Sequence, residues 1–291
     1  MDTLTIAQLA QFSGIKPHTI RIWEQRYGAL SPKRTAGNTR TYDSLDLKRL
    51  LNIVSLIDSG YRISELGSMN DEGLNDLIKQ QYHLEDNGNT LQFVPQLLSA
   101  GMAFDERSFQ KSLSHCFSKF GTIRTYKDVI YPLINRVGLM WSADMLPPAQ
   151  EHFMCNLIRQ KLLVAIDALP LPPNTNKIWL LYLPEDEYHE IGLLFSHYVL
   201  KQKQQRVVYL GASVPLSTLA LAIERIDPDF LLLFFVHYDF PENLNTYLKK
   251  TREIFKSGEI FASGNRKLVG QLSLDSQTQW LENVEDLERI V

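Results

Sequence analysis

Ile178-Trp179-Leu180-Leu181-Tyr182-Leu183 is followed three residues later by Glu187-Tyr188-His189-Glu190-Ile191-Gly192-Leu193. An unbroken apolar run of this length reads as a parallel strand covered on both faces. It places an imidazole, a carboxylate and a glycine at a strand's carboxyl end, where open α/β sheets bind their ligands. A histidine there can ligate a metal through one ring nitrogen. A carboxylate two residues earlier can hold the other ring N–H and fix the tautomer. Gly192 leaves space where a ligand passes close to the backbone. His189 is therefore the candidate metal ligand and Glu187 its partner.

Outward from this stretch, residues 175–291 alternate apolar runs with helical patterns. Strands are expected at Lys177–Leu183, Arg206–Gly211, Asp229–Phe235 and Glu259–Ser263, with helices at Glu190–Lys203, Leu216–Ile226 and Pro241–Lys256. Such alternation gives a Rossmann-like, doubly wound parallel sheet. The first strand is not followed by Gly-x-Gly-x-x-Gly, so a nicotinamide dinucleotide is not expected.

Residues 90–170 carry little strand signal and a 3.6-residue apolar period. Helices are expected at Gln92–Ala103, Asp105–Phe120, Thr122–Trp141 and Pro148–Ala168, a four-helix bundle. Asp105 and Pro147-Pro148 are start signals. Trp141 ends the third helix, and Glu151 and His152 open the fourth. Read alone, these are a core indole and a charged pair at a helix amino terminus.

Residues 1–75 form a different unit. Thr5 can cap a short helix with Ile6, Leu9 and Ala10 on its apolar face. Gly14 marks a turn, and Pro17 suits the first turn of a second helix, His18–Tyr27, with Ile20 and Trp23 facing inward. Helix, short turn and helix is a DNA-binding arrangement whose second helix enters the major groove. Gly37-Asn38 then signals a hairpin, a basic wing beside that helix. His18, Thr19, Arg21, Arg26 and Tyr27 on the helix, and Lys33, Arg34, Asn38, Arg40 and Tyr42 on the wing, are the candidate DNA contacts. Ser44–Ser59 reads as an amphipathic helix stopped by Gly60. Asp71–Asn89 is polar, and residues 76–89 read as a linker.

The totals agree with this division. At 291 residues the chain is long enough for two or three domains. Its 44% hydrophobic and 22% charged residues are those of a globular protein. No apolar run spans a bilayer and the amino terminus has no signal-peptide pattern, so no membrane partner and a cytoplasmic location are expected. Two cysteines do not make a disulfide framework. The formal charge of −3 hides a basic patch. Between Lys16 and Arg49 lie eight basic residues against Glu24, Asp43 and Asp46, a density that meets phosphate.

Two resemblances join these units. Residues 3 to 75, from LTIAQLAQFSGIKPHTIRIWEQRYG to GYRISEL, are similar to the winged-helix domain of the MerR family. That likeness implies dimers on the two half-sites of a double-stranded DNA operator. Many such proteins dimerise through a long coiled-coil helix, so a polar linker here puts dimerisation elsewhere. The remainder resembles CarH/LitR-type photoreceptor regulators with a cobalamin-binding domain. Trp141, Glu151 and His152 match the Trp-x9-Glu-His motif of the capping bundle, which implies contact with the adenosyl group of adenosylcobalamin. Glu187-x-His189-x-x-Gly192 is similar to the Asp-x-His-x-x-Gly signature. It implies His189 as the lower cobalt ligand, Glu187 tuning it and Gly192 admitting the nucleotide tail. Ser213 and Val214 fall in the family's second loop, and Ser263-Gly264 stands for its Gly-Gly. The usual Ser-x-Leu is replaced by Phe234 and Val236, and Ser142 stands where light-sensing members carry a second histidine.

The resemblance implies a homo-oligomeric repressor, dimer or tetramer, controlled by adenosylcobalamin and light, and not an enzyme. Two other readings stay open. One is a MerR-type regulator with a cofactor-free sensor domain acting through a partner or another ligand. The other is a corrinoid-dependent enzyme subunit.

Overall fold

A computed structural model describes residues 3–35, 37–58, 60–81, 90, 92–142, 146–173, 177–236, 244–265, 272 and 274–291. The chain folds as two compact units, Met1–Ile158 and Arg159–Val291.

The first unit opens with α1 (Ile6–Ser13), whose cap is reciprocal. Thr5 Oγ1 accepts from Gln8 N, and Gln8 Oε1 accepts from Thr5 N at 2.8 Å, an arrangement that stabilises a helix end by about 1 kcal/mol. Gly14, in the left-handed region, ends α1. Pro17 opens α2 (Pro17–Tyr27), which buries Ile20 and Trp23 as expected. The wing is β1 (Lys33–Arg34) paired antiparallel with β2 (Arg40–Thr41). Leu4 and Tyr42 exchange backbone hydrogen bonds of 2.8 and 3.0 Å, fastening the chain's start beneath the wing.

Next come α3 (Ser44–Asp58), α4 (Ile63–Leu66) and α5 (Asp71–Gln81). The last differs from the expectation of a polar linker: residues 76–81 are helical, because Leu74 is buried and Arg49 holds Asp71 at the helix start, 2.6 Å apart. Residues 82–89 of that linker lie outside the described residues.

The bundle follows as α6 (Phe93–Met102), α7 (Glu106–Thr125), a π-helical turn (Tyr126–Ile130), α8 (Tyr131–Ser142) and α9 (Pro148–Asp167). Gly121, at φ 75° and ψ 171°, breaks α7 where the sequence predicts a boundary. Asp105 accepts from Ser108 N at 3.0 Å and caps that helix. Nearly every residue of α6 is buried. It packs on α3 as well as on α7 and α8, and Ser55 Oγ on α3 donates to Gln92 O at 3.1 Å. The DNA-binding helices and the bundle thus share one core.

The second unit, which begins within α9, is a five-stranded parallel sheet in the order β4-β3-β5-β6-β7. Its strands are β3 (Ile178–Pro184), β4 (Arg206–Val214), β5 (Phe230–Phe235), β6 (Glu259–Gly264) and β7 (Thr278–Trp280). The first four were expected; β7 was not. Helices α10 (Ile191–Gln202), α11 (Leu216–Ile226), α12 (Leu244–Ile254) and α13 (Val284–Ile290) accompany it. Residues 241–243 of the helix expected at Pro241–Lys256 lie outside the described residues. One sheet face buries Leu180, Tyr182, Leu231, Leu233 and Phe235 with Leu219 and Tyr247. Trp179 stacks on Phe261 and packs at a tilt against Phe230 on the opposite face, so apolar side chains are buried on both faces, as the unbroken apolar strands require. Successive strands are added on one side of β3 (β4) and then on the other (β5, β6, β7), so the winding reverses beside β3, the switch point where such folds bind ligands. Among the described residues no helix is long and apolar enough to cross a membrane.

Candidate functional site

Glu187 sits at the switch point in the turn after β3 and is almost fully buried, with 1% of its surface exposed. A carboxylate in such a place needs several donors, and Glu187 has them. Its Oε1 accepts from Tyr188 N at 2.9 Å, from His189 N at 3.0 Å, and faces His189 Nδ1 at 2.6 Å. Its Oε2 accepts from Val236 N, just past β5, at 2.8 Å. With Nδ1–H donating to the carboxylate, the lone pair of His189 is placed on Nε2, the tautomer a metal ligand needs. The His189 side chain is 43% exposed. The pairing expected from the sequence is therefore present in this structure.

The neighbouring loop is held by β4. Ser213, at φ 53°, donates its backbone N–H to Glu187 O at 3.0 Å, while its hydroxyl accepts from Asp186 N at 3.2 Å. Val214 ends the strand, in register with Pro184. These two candidates thus shape the His189 loop. Glu190 was missed by sequence reasoning. It pairs with Arg159 and accepts from Tyr209 OH at 2.9 Å; burial and this carboxylate hold the phenol's pKa far above its usual value. A lone glutamate beside the motif gives no sign of this in the sequence.

The glycine side of the crevice is tighter. A Cβ on Gly192 would lie 2.7 Å from Cε1 of Phe234, whose ring occupies that space. Ser263, in register with Phe234, gives its hydroxyl to Leu281 O at 2.8 Å. Gly264, at φ 131°, has the Phe235 carbonyl oxygen 2.0 Å from where a Cβ would be. In this structure Ser263 and Gly264 are therefore engaged in holding the sheet together.

On the first unit, His18, Arg21, Arg26, Lys33, Arg34 and Asn38 are exposed, and Thr19 and Tyr27 half-buried. Arg34 Nη1 donates to Asn38 Oδ1 across the wing turn. Arg40 and Tyr42 are placed differently. Glu24 on α2 accepts from Arg40 Nε at 3.0 Å and from the Tyr42 hydroxyl. Tyr42 is 1% exposed and its pKa is raised, chiefly by burial. As a correction to the surface contact expected of it, Tyr42 is a core residue. Glu24 was missed, although an acid among the basic residues of the second helix is visible in the sequence. Trp141, expected as a core indole when read alone, is 47% exposed at the end of α8. Glu151 is half-buried and His152 exposed in the first turn of α9. Nearby Cys155 has its thiol pushed up to about 12 by burial and by Glu151. The side chain of Ser142 lies outside the described residues.

The donor set at His189 suits a metal that arrives with most of its ligands. Among the described residues no group of three or more His, Cys, Asp or Glu gathers to hold a bare ion, whereas one oriented imidazole suffices for an axial position on a macrocycle. A cobalt corrinoid fits that description at the His189 side, and the groove at Gly192 is where Phe234 intrudes.

These features define a winged helix-turn-helix regulator joined to a corrinoid-type helical and α/β module. Residues 4–71 match the MerR HTH family of regulatory proteins, and residues 94–165 match the B12 binding domain. The chain is 30% identical over 260 residues to the HTH-type transcriptional repressor CarH of Myxococcus xanthus, covering 88% of this chain and 86% of that one. It is 29% identical over 250 residues to the repressor CarA of the same organism, covering 85% and 81%. A monomethylamine corrinoid protein of Methanosarcina barkeri shares the fold, with a TM-score of 0.54, 13% identity and coverage of 67% of this chain and 94% of that one. The chain belongs to the CarH family of MerR-type transcriptional repressors with a B12 binding domain.

Proposed function

We propose that this protein represses transcription from a double-stranded operator, and that adenosylcobalamin and light control its oligomeric state and DNA binding. The observation that carries the reading is the Glu187–His189 pair at the switch point, an imidazole oriented by a buried carboxylate at 2.6 Å. Bound adenosylcobalamin would supply a cobalt centre that an imidazole can hold and a cobalt–carbon bond that light can cleave. His189 Nε2 is proposed to hold the cobalt. Glu187 raises its basicity and fixes its orientation. Trp141, Glu151 and His152 are proposed for the adenosyl side. An alcohol at Ser142 does not replace imidazole as a durable cobalt ligand, so the light response of this chain is proposed to run without a second histidine there.

The exposed His18, Arg21, Arg26, Lys33, Arg34 and Asn38 are proposed to carry the DNA contacts, with α2 in the major groove and the wing on phosphates. The family's regulators, and a chain given over to a DNA reader, a bundle and a ligand module, favour a regulator over an enzyme subunit. A ligand changes assembly only if it binds one state better than another. The decisive experiment mixes the protein with adenosylcobalamin in darkness, then records absorbance and mass before and after green light. Uptake of cofactor, lost in His189→Ala, and a change of mass on illumination are expected. Undiminished uptake by His189→Ala would overturn the ligand assignment. Protein that stays colourless would favour a cofactor-free sensor.

A further inference from the structure

We propose that Phe234 makes this site select corrinoids lacking the lower nucleotide over complete cobalamins, an inference that rests on the cobalamin reading above. Three observations meet around Phe234. Gly192, in the first turn of α10, has no side chain, and the space this leaves is taken by Phe234, with Cε1, Cδ1 and Cζ at 2.7, 3.1 and 3.5 Å from a built Cβ. Across the strand pair, Ser263 stands in register with Phe234 and spends its hydroxyl on Leu281 O. Gly264 next to it is backed by the backbone of Phe235. The site therefore offers a phenyl ring where a ribose and phosphate need hydrogen-bond partners, and the hydroxyls of Ser263 and Ser196 are already given to Leu281 O and Gly192 O.

Phe234 stands at the same switch point as His189, because Glu187 accepts from Val236 two residues beyond it. A ligand with a tail must displace the ring from its half-buried position into water. A corrinoid without the tail needs only the imidazole. Exposing part of a phenyl group costs enough to weaken the complete cofactor on the order of tenfold.

The test titrates the full-length protein in darkness with adenosylcobinamide and with adenosylcobalamin, following corrin absorbance. Wild type is expected to bind the cobinamide on the order of tenfold more tightly. Phe234→Ser should bring the two affinities together by improving the cobalamin. Phe234→Leu, which keeps an apolar filling, should give an intermediate ratio and guards against a folding failure of the serine variant. Equal binding of both corrinoids by wild type, or a preference unchanged in both variants, overturns the proposal and leaves the cobalamin reading standing. Failure of every protein to take up either corrinoid sinks the cobalamin reading itself, and the proposal with it.

Discussion

Glu187 and Val236 are joined across the switch point: the carboxylate after β3 accepts the backbone N–H just past β5 at 2.8 Å. The same group serves the Tyr188 and His189 amides and the His189 ring. Replacing it with an amide, Glu187→Gln, swaps one acceptor oxygen for a donor that faces other donors. The variant is expected to lose about 1–3 kcal/mol of stability, measured by denaturant unfolding. Any corrinoid affinity should fall by about 10–100-fold as the imidazole loses its orienting partner.

Two arginines of the first unit should behave in opposite ways. Arg21 is exposed. Arg49 donates to Ala29 O at 2.8 Å, Gly67 O at 3.0 Å and Met69 O at 2.6 Å. Arg21→Ala should lower the slope of log affinity for DNA against log salt by about one, with stability unchanged. Arg49→Ala should leave the slope alone and lower the unfolding midpoint, because three carbonyls lose their donor. Binding isotherms at several salt concentrations, beside thermal melts, separate the two.

Gly264→Ala is expected to destabilise the protein by about 3 kcal/mol or more. The new methyl meets the Phe235 backbone, which cannot rotate away as a side chain would, and the φ of 131° disfavours any L side chain. Calorimetry reads the loss. A variant as stable as wild type would show that β5 and β6 are less tightly apposed than they are here.

His197 stacks on Tyr209, ring centroids 5.4 Å apart, and burial, assisted by Lys201, lowers its pKa to about 4. The unfolded chain takes up this proton near 6.5, before the folded one does. Stability from this group is therefore full above about 6.5 and is lost as pH falls towards about 4. His197→Phe, which keeps a ring against Tyr209, should flatten that part of the unfolding-midpoint profile. An identical profile would refute the assignment.

Strands β3, β4, β5 and β6 were legible because an unbroken apolar run has few alternatives to a covered parallel strand. The Gly121 break and the Asp105 cap were legible because each rests on local backbone chemistry. The Glu187–His189 pair could be read because both partners lie in one turn. What escaped depends on distant neighbours. α5 looks polar until Leu74 finds its burial and Asp71 finds Arg49. Tyr42 looks like one more wing residue, since nothing local shows that Leu4 pairs with it or that Glu24 reaches its hydroxyl. β7 spans three residues, Thr278–Trp280, and exists because β6 offers it an edge.

The packing of α3 against α6 bears on how such a regulator can be taken apart or rebuilt. A winged helix whose third helix shares its apolar side chains with a sensor is not an interchangeable cartridge. Cutting the chain after residue 75 would bare the flank that α6 covers. A chimera carrying this reader on another sensor would need a substitute for α6 before it could be purified or assayed. A rearrangement of the bundle would in turn reach α3, and through it α1, by way of packed side chains.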